Sequence, residues 1–459
     1  MIPFLRGVPL AATFILLAAC GSSTPSLTPS PTTAVPPSAT AHIPAPSPSA
    51  RRPAELRVIP AAFEDHGHML YIDSGSVRIG VDTAWGGAIS EIWYRGENLI
   101  NNYDGGRLMA VSFYDSDLPP VSGHPNDTGW NATPSDMYNN TNSPLEYAFS
   151  ENVLDVRSRY IQWFPDDKGG GRGNPVPTDI IVETRIAFVN APDLVRIGYT
   201  VLNEGSASHA IANQEFPFAY IRTPYDRYVT YAGSAPWTGS QPTIVTIPST
   251  GTGGDTTIAT ERWAGFVGPD DDGLVLWAPQ SYGQFSYGHF DNPGPLENST
   301  FYLLPRSLFG LPPSSLRETH AFILLGNWIQ SRAAIQQLAA DLVFDDIMPP
   351  FGTIDVPRQG DTISGVASLD GWAIDNLGVD SIELTVDGKR LALASYGRQR
   401  EDVARDYPGL PGSPYFGFSL QFDSRTLSNG QHKLEAIARD SSGNESQLRP
   451  GSLSITVEN

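Results

Sequence analysis

The chain has 459 residues, and 29 Lys+Arg against 49 Asp+Glu leave a formal net charge of −20. A chain that acidic repels phosphate backbones, which argues against nucleic acid as a partner. Charged residues are only 17%, which excludes a coiled coil, while 44 Gly, 40 Pro, 20 Phe, 18 Tyr and 9 Trp indicate a turn-rich, all-β protein with sizeable cores.

Arg6 is the only charge in the first twenty residues, and an apolar run of about a dozen, Val8 to Ala19, follows it. That length suits the apolar part of a signal peptide and falls short of a membrane-spanning helix. The run ends Leu17-Ala18-Ala19-Cys20-Gly21, and Cys20 is the only cysteine in the chain. This stretch resembles the bacterial lipobox. The resemblance implies that residues 1–20 are a lipoprotein signal peptide and that Cys20 is acylated. The protein would then sit in the cell envelope, anchored to a membrane and exposed outside the cytoplasm. Ordinary cleavage beside an incidental Cys is the alternative. With Cys20 lipidated no thiol is left for disulfides, so the cores must be held by packing. Residues 21–54 are mostly Pro, Ser, Thr and Ala without an acidic residue, and read as a disordered stalk.

Residues 55–345 read as strands and turns, for example Val77 to Val81, Thr178 to Phe188, Leu194 to Leu202 and Thr300 to Leu304. So long a run of strands predicts two large stacked antiparallel sheets. One helix is expected, Ser331 to Phe344, with Ser331 as its N-cap and Ile335, Leu338 and Leu342 on one face. Pro349-Pro350 then predicts a hinge with few contacts. Residues 346–459 change texture to short alternating strands, about seven, with hairpin signals at Asp387-Gly388, Asn429-Gly430 and Ser442-Gly443-Asn444. The pattern Gly371-Trp372-Ala373-Ile374-Asp375, Gly378-Val379 and Leu384 to Gly388, with Gly430-Gln431-His432 and Ala438 to Asn444, resembles bacterial cell-surface immunoglobulin-like modules. Trp372 reads as a core residue of such a module. Asp375, Asp402 and Asp440 read as solvated turn residues, with calcium binding the alternative.

Phosphate-binding loops, nucleophile elbows and paired-histidine zinc motifs are missing from the sequence, so no cofactor is implied. His66 and His68 share one face of a strand without an evident third ligand, and no metal is expected.

Three stretches of the large domain are distinctive: Gly86 to Ser90 running on to Asn98 through Leu108; Gly129-Trp130-Asn131; and Asn213 to Tyr220 with Thr230 to Gly233 and Pro236 to Gly239. With Glu261 to Phe266 they resemble secreted bacterial proteins that have a galactose-mutarotase-like β-supersandwich. The fold class is therefore all-β, a large antiparallel supersandwich followed by a small immunoglobulin-like sandwich. The resemblance implies a sugar-acting group that includes epimerases, glycoside hydrolases and lyases. Mutarotases rely on a His acid and a Glu base, and here only His289 follows an aromatic strand.

Eight of the nine Trp fall in this domain, and sugar C–H faces stack on such planes while carboxylates, amides and Arg bond hydroxyls. Core packing is the competing reading for each Trp. The candidate catalytic pair is Asp104 and Glu215, since glycoside cleavage needs two carboxyls. The candidate substrate contacts are Arg107, Trp130, Asn131, Gln214, Trp263 and His289. Asp104 and Arg107 could equally pair with each other, and Glu215 could serve a structural hydrogen bond. Two classes of function fit: an enzyme acting on extracellular glycan, or a non-catalytic glycan-binding or adhesion protein.

Overall fold

A computed structural model describes residues 56–459 apart from 223–224, 240, 292–297, 408 and 450. The expected signal peptide of residues 1–20, with Cys20, and the expected stalk of residues 21–54 lie outside the described residues.

The large unit consists of two antiparallel layers. The first runs, in spatial order, Ala62–His66, Met69–Asp73, Val77–Asp82, Ala88–Tyr94, Met109–Asp115, His209–Ile221, Thr300–Leu311, Gln284–Phe290 and Gly253–Ile258. The second runs Thr243–Thr246, Arg227–Thr230, Trp263–Val267, Asp272–Trp277, Leu316–Asn327, Leu194–Asn203, Pro177–Phe188 and Val153–Gln162. Strand Met109–Asp115 joins the layers: Ala110 pairs with Phe218, while Phe113 pairs with Ala132 of Trp130–Thr133.

Alternation along the strands decides what lies between the layers. Val77, Ile79 and Val81 point inward from the first layer, and Ile180, Val182, Ile186 and Phe188 meet them from the second; all are at most 1% exposed. The second layer's outer face is also apolar, and it is covered by helix α1, Trp328–Asp341. Trp328, Ile335 and Leu338 of α1 pack there with Trp263, Val275 and Phe322. The helix begins earlier than its periodicity predicts. Asn327 is the N-cap and accepts from the Ile329 amide at 3.0 Å, whereas Ser331 is buried inside the helix.

The C-terminal unit is a sandwich of two sheets, with ten strands among the described residues. One sheet holds Phe351–Val356, Val366–Ile374, Gly417–Asp423 and Ser395–Arg398, and the other is centred on Gly430–Asp440. Leu369, Ile382, Leu384, Phe418, Leu434 and Ile455 fill the space between them. Asp387 and Gly388 both have positive φ, 50° and 73°, and close the expected tight hairpin between Val386 and Lys389. Asn429-Gly430 does not make a hairpin. It carries the chain from one sheet to the other, because Gly417–Asp423 and Gly430–Asp440 belong to different sheets. Trp372 also departs from expectation: it packs with Phe351 and Tyr407 in a small satellite cluster outside the sandwich core.

The Pro349-Pro350 segment is not a sparse hinge. Ile347 and Met348 are buried within the large core, and the Tyr282 hydroxyl donates to Pro349 O at 2.7 Å. Phe351 meets Tyr282 on one side and Trp372 on the other, with ring centroids 4.9 and 6.1 Å away.

Candidate functional site

The outer face of the first layer gathers the polar and aromatic groups. On strand His209–Ile221 the register shifts between Glu215 and Phe218, so that Phe216, Ala219 and Ile221 enter the core while Phe218 and Tyr220 face outward. Neighbouring strands add Tyr302 and Phe290 to the same face. The Phe290–Tyr302 centroids are 4.8 Å apart, those of Phe218–Tyr220 5.8 Å and those of Tyr220–Phe290 6.4 Å. Tyr220 and Phe290 are half-buried, whereas Phe218 and Tyr302 are buried, 6% and 8% exposed.

Glu215 closes one end of this floor. It is 6% exposed and accepts from Arg306 Nη1 at 2.7 Å, while Arg306 Nε reaches Ser286 Oγ at 3.3 Å. Burial, and then the Glu215 charge, raise the phenols of Tyr114 and Tyr220 above their ordinary range. Both therefore stay neutral and able to donate a hydrogen bond.

Asp104 and Arg107 lie at the other end, and they do pair, at 3.3 Å. Arg107 Nη1 also donates to Asn298 O at 2.8 Å and to its Oδ1 at 2.5 Å. Burial raises the Asp104 carboxyl, opposed by the Arg107 charge. The loop must stay thin here: a Cβ on Gly106 would lie 2.7 Å from the Trp163 ring. Register separates the two candidate carboxylates. Glu215 pairs with Ser112 of strand Met109–Asp115, whereas Asp104 and Arg107 lie in the turn that precedes that strand.

The remaining candidates divide by location. Gln214 is 0% exposed and saturated by backbone: Oε1 accepts from Tyr114 N at 2.6 Å, and Nε2 donates to Tyr114 O and Phe309 O at 3.0 and 2.8 Å. It clamps strands and has no group left for a ligand. Asn131 is likewise buried, bonded to Ser112 Oγ at 2.6 Å. Trp130 sits on a strand, not in a loop, and stacks on His209 at 4.2 Å. Trp263 is on the far side of the molecule, 0% exposed, with Nε1 donating to Glu261 Oε2 at 2.7 Å. His289 neighbours Phe290 but points to the opposite face, towards Phe301 at 4.7 Å, with Nδ1 bonded to Gly251 O.

Sequence reasoning missed Arg306, Tyr114, Tyr220, Phe290 and Tyr302. Arg306 had a usable signal: a lone guanidinium inside the apolar run Phe301 to Leu311 requires a carboxylate partner.

A concavity of about 470 Å³ lies where the two units meet and is lined by Trp237, Glu261, Arg262, Tyr282, Asn376 and Leu410 among others. Asp345 and Asp346 also line it, while its Glu261 carboxylate is committed. Glu261 accepts from Arg332 at 2.8 and 2.7 Å, from Trp237 N at 2.9 Å and from Trp263 Nε1. Near it, Asp375 and Asp440 are 1% and 4% exposed, so they are not solvated turn residues, whereas Asp402 is an exposed partner of Arg400.

Residues 350–436 match the family model of the bacterial Ig domain. No curated protein matches the chain. Among solved structures, a putative aldose 1-epimerase from Escherichia coli K12 is similar at 12% identity, over 58% of this chain and 99% of that one, with a TM-score of 0.37. A galactose mutarotase-like protein from Clostridium acetobutylicum aligns at 10% identity, over 59% and 99%, with a TM-score of 0.38. One from Lactobacillus casei aligns at 10% identity, over 56% and 99%, with a TM-score of 0.34.

Proposed function

We propose that this protein is a cell-envelope lipoprotein whose large unit binds extracellular carbohydrate on the outer face of its first layer. One observation carries the reading: an aromatic floor of Tyr220 and Phe290, both half-buried, packed on buried Tyr302, lies between the Glu215–Arg306 pair and Arg107. Aromatic planes suit sugar C–H faces, and the flanking ion pair and neutral phenols offer donors and acceptors to hydroxyls. Each candidate carboxylate is engaged by a guanidinium, Glu215 by Arg306 and Asp104 by Arg107, which supports binding over cleavage by this pair. The chemistry of the lipobox supports anchoring through Cys20.

Two measurements test this. In oligosaccharide titrations, Tyr220→Ala should weaken binding by about 1 to 1.5 kcal/mol, the value of a lost stacking surface. A glycan panel without a ligand, or an affinity indifferent to Tyr220→Ala, sinks the carbohydrate reading. Accumulation of cleaved or epimerised product, reduced at least ~100-fold in Glu215→Gln, would replace binding with catalysis. In cells, Cys20→Ser should move the protein from membrane to soluble fractions. Retention in the membrane overturns the anchor.

A further inference from the structure

The segment that follows helix α1 brings Asp346 against two loops of the C-terminal unit. One carboxylate oxygen from each of Asp346, Asp375 and Asp440 lies within 4.8 Å of the others. Asp375 and Asp440 are almost completely buried, so water screens this repulsion weakly. Burial first, and then the Asp346 and Asp440 charges, push Asp375 up to about 7. Burial also raises Asp346.

Hydrogen bonds fix the carboxylates without using all their oxygens. Asp375 Oδ1 accepts from the Leu377 and Gly378 amides, both at 2.8 Å. Asp440 Oδ1 accepts from the Ser442 and Asn444 amides at 2.8 and 2.9 Å, and its Oδ2 from Asn444 Nδ2 at 2.8 Å. Asp346 Oδ1 accepts from the Met348 amide at 3.2 Å and Asn376 Nδ2 at 2.9 Å. Two acceptors are left over. Asp375 Oδ2 and Asn376 Oδ1 are buried and have no partner. Asn376 is 3% exposed, and because its amide touches Asp346, the orphan oxygen sits at the edge of the carboxylate group. A half-turn of that amide presents the oxygen to the group. Arg262, whose charge acts on Asp346 and Asp375, donates its own hydrogen bonds at 2.8 Å to Pro279 O and Asn376 O.

Buried acceptors without donors, set among converging carboxylates, are what a hard cation requires. We propose that Asp346, Asp375 and Asp440, with the amide oxygen of Asn376, bind a calcium ion that locks the C-terminal unit onto the large unit. The all-oxygen donor set excludes a preference for soft or imidazole-seeking metals. Calcium fits better than magnesium because it accepts an irregular shell of six to eight oxygens, the rest supplied by water. The ion ties the chain leaving α1 to the two loops that bear Asp375 and Asp440, so it acts on the joint and not on the aromatic floor.

The test uses calcium alone, titrated calorimetrically into the full chain stripped with EDTA, together with thermal unfolding in calcium and in EDTA. One ion per chain should bind with a Kd of about 0.1 to 1 mM, the range of extracellular calcium modules, and should raise the unfolding midpoint. Asp375→Asn should still fold, since it keeps an oxygen for the Leu377 and Gly378 amides and removes one of three like charges. It should weaken calcium binding at least 100-fold. Asp402→Asn, at an exposed position paired with Arg400, should leave binding unchanged. Absence of binding up to about 10 mM calcium, tenfold above that range, overturns the proposal. So does a calcium response that survives Asp375→Asn.

Discussion

Glu215 and Arg306 show why a charge within a strand is informative. Their side chains are 8% and 12% exposed, so each has lost most of its water and relies on the other. Removing one member of such a pair strands its partner, whereas replacing both with apolar groups of similar volume is often neutral. Glu215→Leu should therefore cost about 3 to 5 kcal/mol in urea unfolding, and adding Arg306→Met should restore most of that stability. If the double variant is as unstable as the single one, Glu215 matters through other contacts. Glu215 was visible in the sequence as a carboxylate beside Phe216-Pro217-Phe218. Its partner was not, because Arg306 is 91 residues away and only strand pairing sets it opposite. Gln214 failed as a ligand contact for the same reason: from the sequence it is a polar neighbour of Glu215, but the strand register turns its amide onto the Tyr114 and Phe309 backbone.

At the level of elements, alternation made the strands legible, since one buried face leaves a period-two pattern. Helix α1 was legible through Ile335 and Leu338 but misplaced at its start. Trp328 breaks the expected polar beginning because its ring is needed on the second layer, near Trp263 with centroids 6.5 Å apart. The cap assignment can be measured. Asn327→Ala should cost about 1 kcal/mol in chemical unfolding, while Ser→Ala caps elsewhere give the same scale. A neutral Asn327→Ala would mean that packing alone holds the first turn. Close approaches were not legible in the same way. A Cβ on Gly288 would stand 2.6 Å from the Tyr302 hydroxyl, so this glycine makes room for a ring from the adjacent strand. Nothing in the local sequence signals that need.

Across the whole molecule the joint changes the expected behaviour. Ile347 and Met348 are buried in the large core, Arg262 donates to Asn376 O across the boundary, and Phe351 packs between Tyr282 and Trp372. Such continuity predicts coupled unfolding, in contrast to two modules on a free hinge. Heating the full chain in EDTA should give one calorimetric transition. Two well-separated transitions would show that the packed joint contributes little. The Pro-Pro pair suggested a break because proline cannot continue a helix. The helix has already ended at Asp341, and both prolines are buried, which no composition rule indicates.

The sequence by itself determined the all-β class, the change of texture near residue 346 and the Asp387-Gly388 hairpin. Each depends on neighbours a few residues apart, where periodicity, turn chemistry and short spacing act directly. Only the tertiary structure decided which aromatic rings face outward, that Arg306 answers Glu215, that Gln214 is spent on the Tyr114 and Phe309 backbone, and that Asp346 converges with Asp375 and Asp440. These depend on register and on the stacking of layers. A shift of one residue in any strand would turn every side chain to the other face, so no local pattern can fix them.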